Sequence, residues 1–324
     1  VPVSYLRELA AYWADGYDWR AWEARLNAYP QFTTEIDGQR VHFLHVRSQS
    51  PDLTHGWPGS VVEFLDLIEP LSRDFHLVIP SIPGFGFSGP TTEAGWTSRR
   101  IARAWAELMR RLGYERFGAQ GGDFGGGISR ALGLLAPDNV VAVHVNGGTT
   151  YPSAAEDDPT LTDRERARVR RMAEFMNEAG GYIAIQSTRP RTLAYGLTDS
   201  PAGQLAWIVD KIRDMTDLAK ELPHEAVDRD LLLSDVSVYW FTGTAASSAE
   251  LYYEDGQAWD EEESSPVPTG VSLFTVQDIA LRRDEERVNN ITFWADHDRG
   301  GHFAAMEAPD LLLADIREFF GRYR

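Results

Sequence analysis

The sequence predicts an α/β fold, a mostly parallel sheet flanked by helices, with a helical arm in front and a helical lid inserted. Three observations predict it. Residues 121–125 read Gly121-Gly122-Asp123-Phe124-Gly125, small-x-acid-x-small, the spacing of a sharp turn from a buried strand into a helix. Around that turn, short apolar runs at 75–79 and 140–145 alternate with a helical stripe of Ile101, Trp105, Leu108, Met109 and Leu112. From Pro152 to Ser265 the alternation stops, and helical, Arg-rich and aromatic stretches take over.

In chain order, Tyr5, Leu9, Tyr12, Trp13, Trp19, Trp22, Leu26 and Tyr29 fall at near-helical spacings. They give an aromatic arm over 1–32, packed plainly against the domain. Residues 39–46 alternate well enough to be the first strand. Residues 75–79 form a buried strand ending in Pro-rich turns, and 140–145 form the strand after the nucleophile helix. Beyond the lid, 271–274 and 290–294 return to strand, and 309–323 is an amphipathic terminal helix. The expected division is arm 1–32, core 33–151, lid 152–265 and core again 266–324. Asp260 to Glu263 is a short acidic run, read as a solvated loop.

Asp in the nucleophile slot decides the chemistry. A carboxylate attacks an sp³ carbon and forms an alkyl ester, which water must then hydrolyse. Epoxides and alkyl halides suit such a nucleophile; peptides and ordinary esters do not. Taken alone, the motif is equally a Gly-rich turn whose Asp caps the next helix. Two further signals shift the balance. Upstream, His55-Gly56-Trp57-Pro58-Gly59 is a His-Gly turn of the kind that supplies half of an oxyanion hole; the amide after the nucleophile, that of Phe124, supplies the other half. Downstream, Asp298-Arg299-Gly300-Gly301-His302-Phe303 puts a histidine on a Gly-rich loop before the last helix. Oxyanion turn, nucleophile, late acid and late histidine follow the order of the α/β-hydrolase fold.

At this point the chain resembles the microsomal-type epoxide hydrolases, which include juvenile-hormone epoxide hydrolases and a bacterial branch. The matching stretches are Trp19-Arg20 with Trp22, 55–59, 79–88, 120–125, 181–186, 197–201, Tyr239-Trp240 and 300–307. The resemblance covers almost the whole chain; Trp57-Pro58 and Gly301-His302-Phe303-Ala304-Ala305 are specific to it. It implies the α/β-hydrolase fold and conversion of an epoxide to a vicinal diol, in detoxification or biosynthesis, with no cofactor and no metal. It places the ring-opening pair on Tyr182 and Tyr252, with Tyr253 the alternative if the register slips by one. Trp57 and Phe124 would supply the oxyanion hole and line the substrate site. His302 would activate water. His297 competes with it but is read as a solvated loop residue, and a His297–His302 metal pair lacks a recognisable third ligand. In the family an acid follows the phenylalanine at 274 closely, whereas here Thr275-Val276-Gln277-Asp278 intervene. Gln277 cannot stabilise an imidazolium, so Asp278 is expected to complete the triad, with Asp284, Glu285 and Glu286 as ordinary surface charges. The rivals are a haloalkane or haloacid dehalogenase, in which Trp57 would serve the halide, and a non-catalytic binding protein on the same scaffold.

Composition sets the outer bounds. At 324 residues the chain suits one large domain with an insertion. A net charge of −18 argues against nucleic acid and anionic membrane surfaces as partners. The chain has no cysteine, which removes disulfide and thiolate chemistry and fits a cytoplasmic setting. No apolar run reaches the roughly 18–20 residues of a membrane helix. The expected partners are a small-molecule epoxide and water, with monomer and homodimer both open. The chain opens at Val1 rather than Met, so a start upstream is expected.

One stretch departs from the pattern. A buried apolar strand should precede the His-Gly turn, yet Ser50-Pro51-Asp52 runs straight into Leu53-Thr54, and a single Leu does not make a central strand. The join at Leu71-Ser72-Arg73-Asp74 is also short for a helix-to-strand connection. The expectation is that residues are absent from the chain near 52–53 and 71–75.

Overall fold

The computed structural model describes residues 1–47, 52–54, 56–257, 263–275 and 279–323. The arm holds α1 (Val3–Asp15) and α2 (Trp19–Asn27), the second started by Asp18, whose side chain accepts from the Ala21 amide. A hairpin follows, β1 (Gln31–Ile36) and β2 (Gln39–Val46), turning at Asp37 and Gly38, both at positive φ. Asp-Gly is the dipeptide such a two-residue turn favours. Thus the 39–46 strand is second, not first, and residues 31–32, counted with the arm, belong to the sheet.

The core continues through β3 (Asp52–Thr54), α3 (Leu65–Ser72), β4 (Leu77–Pro80), α4 (Ser98–Arg111), β5 (Phe117–Gly122), α5 (Phe124–Leu135) and β6 (Val140–Asn146). Six helices follow: α6 (Asp163–Glu178), α7 (Gly181–Thr188), α8 (Pro190–Asp199), α9 (Pro201–Met215), α10 (Arg229–Thr242) and α11 (Ala245–Gln257). The core resumes with β7 (Ser265–Leu273), α12 (Arg282–Val288), β8 (Asn289–Asp296), α13 (Ala304–Glu307) and α14 (Pro309–Gly321). Among the described residues the sheet order is β1-β2-β4-β3-β5-β6-β7-β8, parallel from β4 onward. Strands β4 and β5 are buried at every residue, as expected of parallel strands covered on both faces. Helix α4 packs Ile101, Trp105, Leu108 and Met109 inward, and α14 packs Ile316, Phe319 and Phe320, each such burial contributing about 1.5–3 kcal/mol. Strand β7 starts at Ser265, the last residue of the expected lid. The acidic run lies mostly outside the described residues. No helix among those residues is long and apolar enough to cross a membrane.

The two places expected to be short resolve differently. The central position is filled by β3, only three residues long, whose Asp52, Leu53 and Thr54 face Ala119, Gln120 and Gly121. Among the described residues it pairs with β4 at Asp52 and Val78. The ladder is made by backbone groups, so Asp52 and Thr54 serve where only Leu53 had been counted. The 71–74 join is a compact turn in which the Asp74 and Phe75 amides both donate to the Leu71 carbonyl at 2.9 Å. The strand begins two residues later, so this connection is not short.

The arm does not pack indifferently against the domain. Tyr12 donates to Asp230, Trp13 to Ser237, and Tyr17 bonds Ser234, all on α10, at 2.8–2.9 Å. Helix α10 in turn donates from Tyr239 to the Gly59 carbonyl at 2.7 Å, so the arm braces the helix that braces the 56–59 turn.

Candidate active site

Asp123 joins β5 to α5 at φ 53° and ψ −130°, a conformation that costs a non-Gly residue about 1–3 kcal/mol and persists only where the surroundings fix it. Here β5 is held on both sides, by β3 and β6, and the Asp123 carbonyl accepts from the Gly126 amide at 3.0 Å. The side chain makes no capping bond to α5. The helix-cap reading therefore fails, and the carboxylate stands at the C-terminal end of β5.

Its two oxygens have different neighbours. Oδ1 accepts from the Trp57 amide at 3.0 Å, and Oδ2 lies 3.4 Å from His302 Nε2. The Trp57 turn is closed by the Gly59 amide donating to the Gly56 carbonyl at 2.8 Å. A Cβ on Gly56 would sit 2.0 Å from Asp123 Oδ1 and 2.7 Å from the Phe124 nitrogen, so only glycine lets this turn approach Asp123 so closely. Gly56→Ala should push the Trp57 amide off Oδ1 and lower kcat by on the order of 10²–10³-fold, with far-UV circular dichroism unchanged. His55 lies outside the described residues.

Over the carboxylate stand two phenols from the insertion. Tyr182, in the first turn of α7, and Tyr252, on α11, are both buried. The Trp57 indole stacks on Tyr182 (5.2 Å, 18°) and meets Tyr252 edge-on (6.0 Å, 84°), while Phe124 packs edge-on against Tyr252 at 4.7 Å. Burial first, then the Asp123 charge, holds the Tyr182 phenol well above its ordinary pKa. For Tyr252 burial is again first, then Tyr182 and Asp123. Both hydroxyls therefore stay protonated and able to donate. Tyr253, the next residue of α11, is 42 % exposed, whereas Tyr252 is buried.

Sequence reasoning missed Tyr151. Crowding by the protein and then the Asp123 charge raise its phenol, and its own field raises those of Tyr182 and Tyr252. Yet the side chain is 68 % exposed, so a phenol that feels the Asp123 charge also meets solvent. The loop that carries it is held by two carboxylates read from sequence as surface charges. Glu285 accepts from the Thr149 and Thr150 amides and hydroxyls at 2.7–2.8 Å, and Asp284 from the Ser153 amide and hydroxyl at 3.0 and 2.6 Å. Both are buried; only Glu286, paired with Arg282, remains on the surface. A carboxylate that satisfies four backbone and hydroxyl donors is stable without solvent.

His302 sits on the 300–303 loop, its amide donating to the Met215 carbonyl at 3.0 Å. Asp278 lies outside the described residues. The segment leading to it is tied to the histidine loop by Thr275, whose hydroxyl donates to the Gly300 carbonyl at 2.6 Å. His297 is not a solvated loop residue: its Nε2 meets Asp315 at 2.6 Å and its ring stacks on Phe274 at 4.9 Å. It faces α14, and Asp315 also accepts from Ser272 at 2.6 Å.

Glu307 was not singled out in sequence. Its Oε1 accepts from the Phe303 amide at 3.2 Å and its Oε2 from the Asp217 amide at 3.1 Å. Burial outweighs these donors and pushes its carboxyl up to about 8. A raised carboxyl means the folded state holds the proton. Its stabilising effect is complete below the ordinary value of 4.5 and fades as pH rises to about 8. Glu307→Gln should flatten the fall in urea midpoint over that window.

The comparisons with known proteins agree in direction. A family model described as "Epoxide hydrolase N terminus" matches residues 1–64, and one described as "alpha/beta hydrolase fold" matches 53–177. A Stigmatella aurantiaca protein that bears an epoxide hydrolase name is 42 % identical over 342 positions, covering 100 % of this chain and 77 % of its own. Those positions outnumber the 324 residues here, so that relative carries internal residues without a counterpart. Epoxide hydrolase 1 of Sus scrofa is 34 % identical, covering 98 % of this chain and 80 % of its own. The solved structure of Aspergillus niger epoxide hydrolase superposes with a TM-score of 0.89 at 35 % identity, over 100 % of this chain and 86 % of the other.

Proposed function

This chain belongs to the epoxide hydrolase family on the α/β-hydrolase fold, and from that premise we propose how its own residues open and hydrolyse an epoxide. The observation that carries the reading is the pinning of Asp123 between the Trp57 amide and the His302 imidazole. The substrate lies with its ring oxygen under Tyr182 and Tyr252. Asp123 Oδ2, the oxygen not held by Trp57, attacks a ring carbon; the C–O bond breaks, and the departing oxygen takes a proton from a phenol. Water then adds to the ester carbonyl as His302 takes its proton, and the Trp57 and Phe124 amides hold the oxyanion. Collapse expels Oδ2 as part of the diol, which takes the proton from His302, and the proton left on the regenerated Asp123 carboxyl restores the phenol. Asp278 is assigned the task of steadying the imidazolium, supported by the Thr275–Gly300 tie. Residues 152–264 act as the lid that brings the phenols over the core.

A panel of aryl and alkyl epoxides beside alkyl halides, scored for diol and for halide, tests the reading. Diol without halide release is expected. Halide release with no diol would move the chain to dehalogenation. The phenols separate the two chemistries further, because a departing halide is a stable anion and needs no donor. Tyr182→Phe and Tyr252→Phe should each slow esterification by an epoxide on the order of ten- to a thousand-fold. Full activity in both, measured by single-turnover stopped flow, would remove the phenols from the mechanism.

A further inference from the structure

The described residues hold one titratable group that touches both the lid and the histidine loop yet has no part in the two-step chemistry. Glu307, at the end of α13, bonds the Phe303 amide on one side and the Asp217 amide on the other (3.2 and 3.1 Å). Asp217 lies two residues beyond α9, which ends at Met215, and the Met215 carbonyl is the acceptor for the His302 amide at 3.0 Å. The histidine loop is thus fastened to the end of α9 by one direct bond and by the Glu307 carboxyl, which bridges the two segments. Gly301 shows how close the approach is: a Cβ there would lie 2.8 Å from both Glu307 Oε1 and the Met215 carbonyl oxygen. Further up α9, the Lys211 ammonium sits over the Tyr182 ring at 5.5 Å. One helix therefore touches the ring-opening phenol from its last full turn and the hydrolytic histidine at its end.

We propose, resting on the assignment of His302 as the base, that Glu307 is a positioning residue for ester hydrolysis, and that its carboxyl must be neutral to hold the His302 loop against the end of α9. The groups facing it support this. Asp217 is the charged neighbour in contact, a like charge that disfavours ionisation, and His302 is the other titratable group on the same loop. The three amide donors, from Asp217, Phe303 and Gly301, favour the ionised form but are outweighed by burial, which leaves the carboxyl protonated until about pH 8. Ionised, the carboxylate is drawn out toward water, because burial penalises its charge by more than the three amides return, and the bridge between the two segments opens. The strain falls on His302 and so on the water-activating step, while the Trp57 amide still holds Asp123 Oδ1.

The test follows the two half-reactions separately, by quenched flow with intact mass, from pH 6 to 9.5 on an aryl epoxide. Glu307→Ala should slow ester decay on the order of ten- to a hundred-fold, the scale of a small misplacement of a catalytic group, with ester formation unchanged. Glu307→Gln keeps an acceptor without the ionisation, so it should restore most of the decay rate. In the wild type ester decay should fall as pH passes about 8, and in Glu307→Gln that limb should vanish. The same limb persisting in Glu307→Gln would overturn the proposal, whatever Glu307→Ala does to folding. Equal slowing of both steps in Glu307→Ala, or none in either, would overturn it too. If no ester forms in any variant, His302→Gln included, the underlying mechanism has failed rather than the role of Glu307.

Discussion

Asp123→Ala is expected to abolish diol formation and to leave no covalent adduct with any epoxide. The loss should be at least about 10⁴-fold, the scale seen when a nucleophile that works as part of a unit is removed. The reason is local. No other described carboxylate shares the turn between the Trp57 amide and His302, at 3.0 and 3.4 Å. Removing the side chain should spare the fold, since it makes no capping bond to α5. A thermal midpoint near that of the wild type beside lost activity would be the signature. Substantial turnover by Asp123→Ala would mean that water attacks the epoxide directly.

His302→Gln should separate the steps that Asp123→Ala removes together. Ring opening needs the carboxylate and the phenols, so the first turnover proceeds and the ester accumulates. Its hydrolysis should slow by about 10²–10⁴-fold, the usual contribution of a general base. Intact mass should rise by one substrate molecule and stay raised. His297 cannot take over, because its Nε2 is engaged with Asp315 at 2.6 Å on the α14 side. Rapid turnover without adduct in His302→Gln would show a different base.

Much of this site could be read directly from the chain because its chemistry is local. The Asp123 turn, the Gly56-Trp57 turn and the Gly301-His302 loop each need small residues beside a reactive one, and that need is written in a few consecutive positions. Tyr182 and Tyr252 were singled out only through family resemblance, since a phenol carries no local mark of its partner. What stayed hidden depends on contacts far apart in sequence. Glu285 and Asp284 look like surface charges until the loop at 149–153 folds onto them, 131–136 residues away. Tyr151 gains its place from that same clamp. The arm's aromatic spacing revealed helices but not that α10 is their partner, which hydrogen bonds over more than 200 residues decide. Strand β1 was overlooked although Asp37-Gly38 marked its hairpin, because the preceding aromatic run drew it into the arm. Strand β3 was judged by its single Leu, when a strand paired on both sides is held by its backbone.

The central claim is that an ester on Asp123 lies on the path, and a single turnover in ¹⁸O-labelled water tests it most directly. Water attacks the ester carbonyl, so one label should appear in the peptide containing Asp123 and the first diol should be unlabelled. Label in the diol with none in Asp123 after one turnover would contradict the account.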